Sequence, residues 1–104
     1  MDYIRIAYTK EITKQIGKEK FKLNHAKDDL EHIHPDTVNS IESLEKYIEK
    51  INKKITVLED MLDSSSNYDK LKLLEMICSE AIFYQVEKGV LSIEENEYLE
   101  RNGH

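Results

Sequence analysis

Between Ser40 and Leu62 the apolar residues Ile41, Leu44, Ile48, Ile51, Ile55, Leu58 and Leu62 recur at alternating steps of three and four. That is the period of an α-helix with one apolar seam. A weaker version of the same spacing runs through Ile12, Ile16, Leu23, Ala26, Leu30 and Ile33, with Glu19 in the one polar gap, and Ile4 and Tyr8 extend it upstream. The pattern predicts a first helix over about 3–33. A short extended arm over residues 1–10 is the alternative, because Tyr3, Ile4, Ile6 and Tyr8 favour strands.

Pro35 disfavours helical geometry at His34, and Asp36 or Thr37 can cap a new helix, so the chain is expected to turn and begin a second helix over about 37–62. The segment "DSSSNYD" ends that helix, with Ser66 or Asn67 as the cap of a third over about 68–88. Gly89 is placed to stop the third helix in a left-handed conformation. Ser92 and Glu95 then have capping-box spacing, which predicts a fourth helix over about 92–101.

These elements predict an all-α fold, an antiparallel three- to four-helix bundle in which long helices 1 and 2 form a hairpin. The seam from Ile41 to Leu62 would lie along helix 1, although its heptads also suit a two-stranded coil between chains, with Lys54 and Glu59 spaced for an interchain ion pair. The third helix carries a wide apolar surface. Leu71, Leu74, Ile77, Cys78, Ala81 and Tyr84 form one face of it, and Leu73, Met76 and Phe83 extend around it. A surface that wide needs two neighbours, and self-association as a homodimer is the simplest way to provide the second.

A length of 104 residues suits one domain, 1–104, with a core that needs neither metal nor disulfide. Charged residues make up 35% of the chain, with one Pro and three Gly, which again favours helix. No apolar run is long enough to span a bilayer and no signal peptide is evident, so a cytoplasmic protein without membrane contact is expected. The lone Cys78 fits a reducing compartment and reads as a small buried side chain.

The net charge of −6 disfavours nucleic acid as a general partner, but the charge is uneven. Residues 1–27 carry seven basic side chains against three acids, and residues 75–101 carry seven acids against Lys88 and Arg101. The basic first helix is therefore expected to oppose the acidic C-terminal segment. Lys10, Lys14, Lys18 and Lys22 recur every four residues, a stripe that could follow phosphates in a dimeric DNA-binding regulator. A lysine stripe on an amphipathic helix is also what a solvated face looks like.

Candidate chemistry is sparse. His25, Asp29 and His32 share one helical face and form the strongest metal candidate, yet the second E-x-x-H pair of a di-iron bundle is missing. Asp63, Ser65, Asn67 and Asp69 have calcium-loop spacing, but Tyr68 stands where Gly is needed and Leu74 where the bidentate Glu belongs. There is no Gly-rich phosphate loop and no nucleophile with an evident base, so no enzyme and no cofactor is expected.

The stretch "EKGVLSIEENEYLE" resembles the Gly, two aliphatics, Ser/Thr, acidic-helix grammar of short C-terminal (SHOCT) modules of bacterial and phage proteins; no function is carried over from it. The Ile-, Lys-, Glu- and Asn-rich composition resembles that of AT-rich bacterial or viral genomes, whose small acidic helical proteins include phage- or mobile-element-type inhibitors, immunity proteins and regulators. A non-catalytic helical interaction protein with a protein partner is therefore expected, docking through Met76, Phe83, Tyr84, Val90, Leu91, Tyr98 and Leu99.

Overall fold

The computed structural model describes residues 2–34 and 38–102, and the expected capping by Asp36 or Thr37 lies outside them. The chain is all-α. Helix α1 spans Tyr3–His32, α2 Val38–Ser64, α3 Lys70–Met76 and α4 Ser79–Asn102, with a 3-10 turn at Ser65–Asn67 between α2 and α3. There is no strand among the described residues, and the N-terminal residues from Tyr3 onward belong to α1.

The middle of the α2 seam, Ile51, Ile55 and Leu58, is buried within the chain, and its two ends are partly covered. Leu23 of α1 packs with Ile51 and Ile55, with Ile48 at the margin. Towards the other end a larger core joins Tyr8 and Ile12 of α1, Val57, Leu58 and Met61 of α2, Leu73 and Met76 of α3, and Ile82, Val86 and Val90 of α4. Each of these buried aliphatic side chains contributes about 1.5–3 kcal/mol by leaving water. Helix α2 packs against α1 on one side and α4 on another, while α3 closes on α1. The result is plate-like, with extents of 56 × 38 × 19 Å.

Two elements depart from the pattern the sequence predicts. The third helix does not run from 68 to 88; it breaks at Ile77–Cys78, and α4 restarts with the Ile82 N–H donating to the Cys78 carbonyl at 3.1 Å. The reason is phase. Leu73 and Ile82 are nine residues apart, about two and a half helical turns, so an unbroken helix would point them in opposite directions. The break lets both face the core, and it leaves Leu71, Leu74 and Tyr84, one face of the expected third helix, exposed. Cys78, expected to be buried, is exposed at the break, where its Sγ accepts the Ala81 N–H at 3.4 Å.

The second departure is Gly89. The helix continues through it with no positive φ, so the expected stop, the separate fourth helix and the helix-end grammar shared with SHOCT modules do not form. A β-carbon at Gly89 would lie 2.6 Å from Cγ1 and 2.8 Å from Cγ2 of Val57. The glycine is there so that α4 can lie close on α2. The cap of α3 is neither Ser66 nor Asn67 but Asp69, whose carboxylate accepts the Lys72 N–H at 2.8 Å.

Candidate functional site

Helix α4 has two unlike faces. Ile82, Val86 and Val90 are buried against α2 and its neighbours, with Ile93 continuing the same face. The opposite side carries Tyr84, Leu91 and Tyr98, which are 63%, 62% and 65% exposed. Steps of seven residues, nearly two turns, keep these three side chains in one line along the helix. Phe83 and Leu99 flank that line and are also exposed. Of the side chains expected to face a partner, Phe83, Tyr84, Leu91, Tyr98 and Leu99 are therefore accessible. Met76 and Val90 are not; both are core residues, because the break at Ile77–Cys78 turns the first inward and the continuous α4 turns the second onto α2.

Three ion pairs span α2 and α4. Lys50 reaches Glu94 at 2.9 Å, Lys53 reaches Glu97 at 3.1 Å and Lys54 reaches Glu87 at 3.9 Å. Three of the C-terminal acids thus meet α2, no ion pair among the described residues joins that segment to the basic first helix, and Lys54 pairs with Glu87 of the same chain, where the alternative two-chain coil would pair it with Glu59. The hydrogen bond from Lys50 holds the Glu94 carboxyl below its ordinary value, and the same bond raises the Lys50 ammonium. Lys46, Glu49, Tyr98 and Arg101 join these pairs around a polar groove of about 440 Å³, so Tyr98 stands between that groove and the outer face.

On α1, Lys10, Lys14 and Lys18 are exposed, and none of the ion pairs among the described residues includes them. Lys22 sits 3.4 Å from Glu19, so the fourth member of the stripe is partly neutralised. Farther along the helix Phe21 stacks at a tilt on His25, with ring centroids 4.6 Å apart. His32 donates from Nδ1 to the Asp28 carbonyl at 2.8 Å, and that bond, with the nearby Asp28 carboxylate, raises its pKa. His25, Asp29 and His32 do not converge; among the described residues no three His, Cys, Asp or Glu side chains form a ligand cluster. His25 and Asp29 instead line a shallow groove of about 290 Å³ with Phe21, Ala26, Leu44 and Tyr47. The calcium-like segment is also taken up by helix: Asp63 lies in α2, Ser65 and Asn67 form the 3-10 turn, and Asp69 caps α3.

Comparison with protein-family models, with curated proteins and with solved structures returns no match. Among the described residues, no helix is long and apolar enough to cross a membrane.

One anchoring residue has no signature in the sequence. Arg5 donates from Nη2 to the Tyr68 carbonyl at 2.7 Å and from Nη1 to the Ser65 carbonyl, tying α1 to the turn before α3. Its Nε also donates to Asp2 at 3.2 Å, while the Asp2 carboxylate accepts the Arg5 N–H at 3.1 Å as the helix cap. The backbone bond from Arg5 is the main cause of the lowered Asp2 pKa. Nothing local marks Arg5, because its partners lie some 60 residues away. The α4 stripe, by contrast, is visible in the sequence as Tyr84, Leu91 and Tyr98 separated by charged turns.

Proposed function

We propose that this chain is a small non-catalytic helical interaction protein that binds and modulates another macromolecule, with the outer face of α4 as its docking surface. The observation that carries the reading is the line of Tyr84, Leu91 and Tyr98, each more than 60% exposed on a helix whose opposite side buries Ile82, Val86 and Val90. Large apolar side chains scattered singly on a surface need no explanation, but two tyrosines aligned with a leucine between them do, and aromatic anchors dominate protein interfaces. The antiparallel arrangement of the helices and their self-association belong to the same proposal. An inhibitor, immunity protein or regulator of this kind would use its acidic surface to oppose a basic site on the target. Capture from the source cell with wild-type bait and with Tyr98→Ala bait tests it. A protein recovered only by the wild type supports the reading, and equal recovery by both refutes the assignment to α4.

A second reading, a DNA-binding regulator acting through Lys10, Lys14, Lys18 and Lys22, draws on three of those lysines being exposed and outside every ion pair among the described residues. Its signature is a mobility shift of duplex DNA that weakens steeply with salt. No retardation at micromolar protein and low salt removes it.

A further inference from the structure

We infer that the occupant of the α4 face is a second copy of this chain, with the two α4 helices antiparallel and Leu91 on the two-fold axis. The inference rests on the reading of that face as a docking surface and names its partner. Two independent observations support it.

The first is excess surface. A compact monomer of 12.3 kDa exposes about 6,100 Å² by the usual scaling of area with mass. This chain exposes 7538 Å². Its radius of gyration is 16.6 Å, against about 13 Å for a compact chain of the same length. The surplus of about 1,400 Å², spread over the whole plate, leaves room for the roughly 800 Å² that each partner contributes to a stable interface.

The second is charge register. Reversing α4 about Leu91 sets Tyr84 against Tyr98 of the second copy and Leu91 against Leu91. On the flank of the stripe the same reversal brings Lys88 beside Glu95, and at the ends it brings Glu80 beside Arg101. All four of these charged side chains are exposed and outside the ion pairs among the described residues. A parallel pair carries each of these side chains to the opposite flank from its own copy and forms neither the Lys88–Glu95 nor the Glu80–Arg101 pair. The ion pairs from α2 to Glu87 and Glu94 remain in place, because those carboxylates lean towards α2.

The test is molar mass in solution at tens of micromolar, followed by disulfide mapping in a Cys78→Ser background. The wild type is expected at twice the chain mass, and Leu91→Glu at the monomer mass with unchanged helical circular dichroism, since the side chain is exposed. Leu91→Cys should cross-link to itself. Tyr84→Cys should cross-link to Tyr98→Cys when the two variants are mixed, and neither should do so alone. A monomeric wild type, a Leu91→Glu variant that stays dimeric, or Tyr84→Cys cross-linking to itself each overturns the proposal. A monomer that still captures a foreign protein through Tyr98 would leave the docking surface standing and remove only the second copy.

Discussion

Gly89→Ala separates close packing from helix propensity, because the two predict opposite signs. In an exposed helix interior, replacing Gly with Ala gains about 1 kcal/mol. At Gly89 the new methyl would meet Val57 Cγ1 at 2.6 Å, Cγ2 at 2.8 Å and Cβ at 3.3 Å. Val57 is buried within α2. A β-branched side chain in a helix has one strongly preferred rotamer, so it cannot swing aside, and its Cβ moves only with the backbone. Relief requires α4 to retreat from α2 by most of an ångström, loosening Val86, Val90 and Met61. Overpacking of this kind costs about 1–3 kcal/mol. Set against the propensity gain, the net expectation is a loss of about 0–2 kcal/mol, which for a domain of this size lowers the melting temperature by up to roughly 16 °C. Gly17 provides the control, since a β-carbon there meets nothing within 4 Å. Gly17→Ala should stabilise by about 0.5–1 kcal/mol. Urea and thermal unfolding read by far-ultraviolet circular dichroism measures both, and Val57→Ala combined with Gly89→Ala should be less harmful than the two losses added. A Gly89→Ala protein as stable as Gly17→Ala would refute the close approach of α4 to α2.

Other contacts in the fold set three further expectations. Arg5→Ala should lose about 1–3 kcal/mol and speed hydrogen exchange over residues 65–69, and Arg5→Lys should recover only part of this, because an ammonium lacks the guanidinium's fork of donors. The Tyr8 hydroxyl is buried without a hydrogen bond and its pKa is pushed up to about 12 by burial. A folded pKa above the unfolded one contributes stability below about pH 10 that is lost as pH rises towards the folded value. Tyr8→Phe should therefore be at least as stable as wild type at neutral pH and show a smaller alkaline decline; an unchanged alkaline limb counts against it. Glu94 has the opposite sign: its folded pKa lies below the unfolded one, so its contribution is complete above about pH 4.5 and disappears as pH falls through the folded value. Glu94→Gln should flatten that acid decline in a melting-temperature series, and Lys50→Met should do the same.

The α2 seam could be read from the sequence because its period is that of the element it forms and its partner is the neighbouring helix. The phase of α3 could not. No Gly or Pro marks the break at Ile77–Cys78, and the only local hint is the nine-residue interval between Leu73 and Ile82, which becomes meaningful once both are known to be buried. Gly89 misleads for a related reason. A glycine followed by Val90 and Leu91 looks like a helix end, whereas its actual constraint, the nearness of Val57, comes from a residue 32 positions earlier. Misplacing these boundaries assigns Val90 to the surface and Met76 to a partner. The stripe from Tyr84 to Tyr98 survives, since its spacing is internal to α4.

The tie from Arg5 to Ser65 and Tyr68 orders the events of synthesis. A nascent chain can fold its first two helices against each other as soon as both have left the ribosome, yet the start of α1 gains its anchor only when the Ser65–Tyr68 turn has also emerged. Until then the first turns of α1 are the natural point of attack for a protease, and premature termination between α2 and α3 would yield a product degraded from its front end.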